Sequence, residues 1–142
     1  MILPDLNLVV SAYNTASPWY ERARLWWEDS LNGPEIVGLA PVVALGFVRL
    51  LSNPKVVVRP VSPAILLDVV AEWLDTGRVK YIVPGLRHVR IMRGLFEASA
   101  AGSSMTTDIH LAALAIEQGA TMASSDSDFR RLSGFRLVNP LE

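Results

Sequence analysis

Four aspartates fall at places where their carboxylates could share one cation. Asp5 closes a short apolar run, Met1 to Pro4. Asp126, with Asp128 two residues on, closes another, Thr121 to Ser124, and Asp108 lies in the first turn of the helical pattern leading into that second run. In open parallel sheets, ligands bind in the crevice beyond the carboxyl ends of the strands. If these two runs are neighbouring strands, three or four carboxylates converge on one crevice edge, with no basic residue directly adjacent to any of them. Like charges so close together require that one group protonates or that a divalent cation neutralises them. Hard oxygen donors in a chain without cysteine favour Mg²⁺ or Mn²⁺ over zinc. Such a cluster is a scaffold for metal-assisted phosphodiester hydrolysis, in which the ion activates water and offsets charge on the scissile phosphate.

Each acid alone also has an ordinary role. Asp5 can cap a helix, Asp108 can answer the dipole of its helix, Asp126 can close an Asx turn, and Asp128 can cap the turn at Phe129. Their joint position at strand ends is what the ordinary roles leave unexplained.

The elements that must position these acids alternate along the chain. Met1 to Pro4 reads as a strand and Leu6 to Asn14 as a helix. Ser17-Pro18 offers an N-cap and first-turn proline for a helix running to about Leu31, stopped by Asn32-Gly33-Pro34. Ile36 to Leu39 is a second strand, followed by a helix from Pro41 to before Asn53-Pro54 and a connector, Lys55 to Arg59. Ser62-Pro63 opens a helix to about Asp75; Lys80 to Val83 is a third strand and Leu86 to Ala100 is helical. The Ser103 to Thr107 run caps a helix with Ile109, Ala112, Ala113 and Ile116 at i, i+3, i+4, i+7, ended by Gly119. Thr121 to Ser124 and Phe135 to Val138 are the last strands, with a helical turn near Phe129 to Leu132 between them. This alternation predicts right-handed crossovers and a three-layer α/β/α sandwich around a mostly parallel sheet of about five strands.

Composition bounds the rest. A chain of 142 residues without repeat or linker suggests one domain, residues 1–142. The hydrophobic content of 51% calls for a core with two covered sheet faces. No uncharged stretch reaches the roughly 18 apolar residues of a membrane span. The first charge is the acid Asp5, which does not fit a secretory signal, and the absence of cysteine suits a reducing cytoplasm. A net charge of −1 gives no long-range pull toward nucleic acid, so a polyanion must be held by a local patch or through metal ions.

With these residues in place, the chain resembles the PIN-domain ribonucleases, and within them the VapC-type toxins of toxin-antitoxin modules. Ile2-Leu3-Pro4-Asp5-Leu6-Asn7 is similar to the family's apolar-x-Asp-x-Asn start. Thr107-Asp108-Ile109-His110-Leu111-Ala112-Ala113 is similar to its Thr-Asp-x-x-Leu-Ala-Ala helix, and Gly119-Ala120 through Asp126-Ser127-Asp128-Phe129 to its Gly-Ala … Asp-x-Asp-Phe block. The resemblance implies a Mg²⁺- or Mn²⁺-dependent endoribonuclease acting on structured RNA such as tRNA. It casts Asp5, Asp108 and Asp126 as metal ligands and Asp128 as an auxiliary acid. Asn7 becomes a site-orienting polar residue, and Ser124 a hydroxyl supporting the ligands. It also implies a cognate VapB-type antitoxin seated in an apolar groove near the site, and a homodimer, with no organic cofactor.

One departure matters. Many members carry a glutamate on the helix after the second strand, where this chain has Gly46, and no acid occurs between Glu35 and Asp68. The site therefore lacks about one ligand's charge, which weakens metal binding. A subgroup in which this glutamate is often missing has a stretch similar to Arg49, Ser52, Asn53 and Pro54. Arg49, nearly one turn after Gly46, would face the crevice and bind phosphate or partly fill the vacant place. The same departure supports a rival reading, a catalytically weak or inactive PIN-fold protein that binds RNA or an antitoxin. A phosphohydrolase using Asp5 as nucleophile fits poorly, because Asn7 and Val9 break the Asp-x-Asp-x-Thr pattern such enzymes resemble. His110 points away from Asp108 and reads as packing or capping. His88, Arg87, Arg90 and Arg93 read as an RNA-facing or a solvated helix face, and Trp19, Tyr20, Trp26 and Trp27 as core, stacking platform or docking groove.

Overall fold

A computed structural model describes residues 1–142. Five three-residue strands form one sheet: β1 (Ile2–Pro4), β2 (Val37–Leu39), β3 (Val79–Tyr81), β4 (Thr121–Ala123) and β5 (Arg136–Val138). All four pairings are parallel, in the order β3-β2-β1-β4-β5. The helices are α1 (Leu6–Ser11), α2 (Tyr20–Asn32), α3 (Pro41–Leu51), α4 (Pro63–Asp75), α5 (His88–Ser99) and α6 (Thr106–Gln118). From β1 the chain builds outward through β2 to β3, then crosses back to lay β4 against the other side of β1. The order reverses between β1 and β4, which is where the carboxyl ends of an open sheet leave a crevice. The α/β expectation holds, with a sheet that is parallel throughout.

Pro4 shapes that crevice. It has no N–H to offer, so β1 pairs with β4 across all three residues but with β2 only at Ile2↔Val37. The core lies on both faces of the sheet. On one side α6 buries Ile109, Leu111, Ala112, Ala113, Leu114 and Ala115, its alanines allowing a close approach. On the other, Tyr13, Trp27, Phe47 and Trp73 from the α1 to α4 layer pack with ring centroids 4.8 to 5.7 Å apart. The Trp73 Nε1–H donates to the Tyr13 hydroxyl at 3.0 Å. Trp27 is therefore core rather than a base-stacking platform.

Several boundaries differ from the sequence reading, each for a local reason. α1 ends at Ser11, because Asn14 Oδ1 accepts from Ala16 N and Ser17 Oγ from Trp19 N, closing turns that compete with helix. Ser17 thus caps nothing, and α2 begins at Tyr20 without a side-chain cap. Ser103 to Met105 form a separate 3-10 turn, so neither Ser103 nor Thr107 caps α6. β3 ends at Tyr81, opposite Leu39, where the short β2 runs out. Gly119 does end α6, at φ 61°, with its N–H turned back to Ala115 and Ile116.

Candidate active site

The register of β1 and β4 places Pro4 beside Ala123, so Asp5 and Ser124 leave the sheet side by side. The Asp5 N–H continues the ladder to the Ala123 carbonyl at 2.8 Å. A chain of hydrogen bonds then ties the two strand ends together. Ser124, fully buried, donates its hydroxyl to Asp5 Oδ2 at 2.8 Å and accepts from the Asp126 N–H at 2.9 Å; Asp126 Oδ1 accepts from the Asp128 N–H at 2.9 Å. Asp5 Oδ1 accepts from Leu6 N at 2.7 Å, so this residue caps α1 as well as facing the crevice. Asp126, not Asp128, caps the 3-10 turn Ser127–Arg131, which leaves the Asp128 carboxylate without a capping task.

Asp108 comes from the first turn of α6 to meet this edge. Ligand oxygens of Asp108, Asp126 and Asp128 lie within 4.8 Å of one another, the first two residues half-buried and the third exposed. Donors on opposite sides of a Mg²⁺ ion sit about 4.2 Å apart at bond lengths near 2.1 Å, so small side-chain rotations bring these oxygens to one ion. Asp5 stands beside the trio with both oxygens already accepting one hydrogen bond. Each oxygen keeps a second lone pair, so Asp5 can still bind an ion. The sequence reading put Asp5 in the ligand set and Asp128 outside it; by spacing alone the tightest trio includes Asp128.

The electrostatics match a cluster short of cations. Burial, and then the charges of Asp5, Asp126 and Asp128, push the Asp108 carboxyl up to about 6. Asp5 is raised as well, chiefly by burial and further by Asp126, against the lowering effect of the hydrogen bonds from Ser124 and Leu6. Both shifts mark a site where negative charge is costly until a cation arrives. The donor set, all carboxylate oxygen, suits a hard divalent ion.

A cavity of about 190 Å³ opens beside the acids, lined by Asp5, Asn7, Arg49, Thr107 and Asp108 among others. Asn7 is exposed and makes no hydrogen bond to the acids. No carboxylate enters from α3: a Cβ at Gly46 would lie 2.5 Å from Leu6 Cδ2 and 3.0 Å from Cδ1. Leu6 therefore fills the place a side chain at 46 would start from, a contact between α1 and α3 that no local pattern signals. Thr107 was also missed as a cavity wall, although its place just before Asp108 was visible.

The histidines take no part. His88 is buried, its Nε2 paired with the His110 carbonyl at 3.3 Å and its ring edge-on to that of His110. Burial, then His88, lowers the His110 pKa. The solvated-face reading of His88 is thus corrected, while Arg87, Arg90 and Arg93 are exposed, Arg93 paired with Glu97 at 3.0 Å. The Gly85 N–H donates to Glu117 at 2.9 Å, which sets the approach to α5 near the far end of α6 from Asp108.

The PIN domain family profile matches residues 2–134. The chain belongs to the PIN-domain family. Among its relatives is "Ribonuclease VapC33" of Mycobacterium tuberculosis, 38% identical over 141 residues and 99% of both chains. "Ribonuclease VapC37" of the same organism is 34% identical over 140 residues, covering 99% of this chain and 97% of the relative. These place this PIN-domain chain in the VapC branch. Its fold is shared with FitAB bound to an IR36 DNA fragment (TM-score 0.71, 18% identity, 100% of this chain and 96% of that one). It is shared too with VapBC2 from Rickettsia felis bound to promoter DNA (TM-score 0.67, 17% identity, 98% of each). Mycobacterium tuberculosis VapC20, described as a sarcin-ricin loop cleaving toxin, aligns with TM-score 0.62 and 16% identity over 96% of this chain and 99% of its own.

Proposed function

We propose that this PIN-domain chain is the toxin of a toxin-antitoxin pair, a Mg²⁺- or Mn²⁺-dependent endoribonuclease that cuts structured RNA such as tRNA. The observation that carries the reading is the carboxylate trio within 4.8 Å, joined through Ser124 to Asp5 at the β1/β4 switch point. Asp5, Asp108 and Asp126 would hold the ion, with Asp128 close enough to share it. A divalent ion bound there supplies a water of lowered pKa and neutralises charge at the scissile phosphate. The chain's own residues do the positioning: Ser124 fixes both the Asp5 side chain and the loop bearing Asp126. Asp108, half-buried with its pKa raised to about 6, is largely ionised at neutral pH and would offer its carboxylate to an ion. The names of the VapC relatives support ribonuclease activity, and the loop-cleaving description of VapC20 supports a structured RNA as substrate.

The same reading assigns a VapB-type antitoxin as the silencing partner, in line with the FitAB and VapBC2 complexes. It takes the toxin to act in the cytoplasm, as one domain and as a homodimer. Val58 and Val61 are exposed and line an apolar cavity of about 390 Å³, a surface such a partner would cover. No helix is long and apolar enough to cross a membrane.

A second reading, a weak or inactive RNA- or antitoxin-binding protein, rests on Gly46 and the Leu6 side chain packed against it. One experiment separates the two. Purified protein is incubated with a total small-RNA pool in Mn²⁺, in Mg²⁺ and in chelator, beside Asp126→Asn of verified fold. Discrete fragments that need both metal and Asp126 support the nuclease; intact RNA at high metal concentration favours the binding protein.

A further inference from the structure

We infer that Arg49 contacts the RNA directly, seating a backbone phosphate against the acidic crevice. This rests on the nuclease reading and adds the protein group that meets the polyanion.

Arg49 lies in the last turn of α3, three residues after Gly46, and so on nearly the same side of the helix. It lines the cavity that holds Asp5, Asn7, Thr107 and Asp108. Its guanidinium nevertheless belongs to none of the ion pairs, which involve Arg24, Arg93, Arg130 and the N-terminus, and it donates no hydrogen bond. A cation in an acid-lined cavity that pairs with none of the acids keeps its whole fork of N–H donors for a ligand. That fork matches two oxygens of one phosphate.

The division of charge gives the pose. The β1, β4 and α6 walls carry the carboxylates, and the ion they hold meets one side of a phosphodiester. The α3 wall, where Leu6 packs against Gly46 and no acid is present, carries Arg49 to meet the other. A cation near a helix C-terminus also suits the helix dipole, but that role is served equally by an arginine pointing away from the cavity.

The test uses a purified tRNA pool as probe. Binding is measured on the Asp126→Asn protein with and without Arg49→Ala or Arg49→Lys, across a salt series. Cleavage kinetics and Mn²⁺ affinity are measured with Asp126 intact. Arg49→Ala is expected to raise Kd and KM roughly 10-fold or more, the loss of a charge-assisted hydrogen bond. The salt slope should become shallower by about 0.7 to 0.9, for one lost phosphate contact. Mn²⁺ affinity and unfolding temperature should stay unchanged, and Arg49→Lys should recover part of the loss. Unchanged RNA affinity and salt slope would overturn the inference, as would a loss that runs in step with Mn²⁺ affinity or unfolding temperature. Failure of the unaltered protein to cut any RNA counts against the nuclease reading alone, since the binding comparison still decides Arg49. Failure of the protein with Asp126 intact to bind RNA in either Mg²⁺ or Mn²⁺ overturns both.

Discussion

At Asp108, burial and three neighbouring carboxylates act in the same direction, and the consequence is a pH dependence opposite to that of an ordinary salt-bridged acid. Its folded pKa of about 6 lies above the unfolded value of 3.8, so the folded protein holds this proton more tightly. The stability it contributes is fully present below about 3.8 and gone once the pH has risen through about 6. Metal-free protein should therefore melt at a higher temperature at pH 5 than at pH 7.5, a comparison that scanning calorimetry makes directly. Asp108→Asn, which removes the charge, should stabilise the metal-free protein at pH 7.5. The group is half-exposed, so screening reduces the effect to about 1 kcal/mol, or about 3 °C. Because the proton must leave before an ion binds, Mn²⁺ affinity should fall as the pH drops below about 6. Asp5→Asn should lower cleavage by at least about 100-fold with the circular dichroism spectrum unchanged, since a charged ligand is lost.

Between elements, the decisive link is Ser124, which joins the ends of β1 and β4 through Asp5 and the Asp126 N–H. Ser124→Ala removes both bonds and leaves Asp5 less well solvated. The expected result is about 1 to 2 kcal/mol of lost stability in urea unfolding and a roughly 10-fold loss of Mn²⁺ affinity, as when a ligand loses the partner that orients it. The alternation of strands and helices made the layers legible, because a parallel sheet demands helical crossovers. The motifs at Asp5 and Asp126 marked the two strand ends that meet, and the one at Asp108 the helix start that joins them. Helix starts were less legible: Asn14 and Ser17 offer the backbone turns instead of helix, and a run of Ser and Thr does not say which residue, if any, caps α6. The packing of Leu6 against Gly46 could not be read at all, since it joins residues forty positions apart whose contact depends on how α1 and α3 cross.

For the molecule as a whole, a net charge of −1 gives no long-range pull toward RNA, which must be held by a local patch or through metal ions. Affinity must come from a few contacts and from the ion that the acids hold. The logarithm of RNA affinity should then fall only gently with the logarithm of salt, with a slope no steeper than about −3 for the few phosphates engaged. It should respond more strongly to chelator than to salt. The central claim is that the four aspartates form one site completed by a divalent cation. Calorimetric titration of Mn²⁺ into the protein and into Asp126→Asn at pH 7.5 tests it most directly. Saturable binding in the first, weakened at least about 10-fold in the second, is the predicted result; equal binding by both, or none by either, would contradict it.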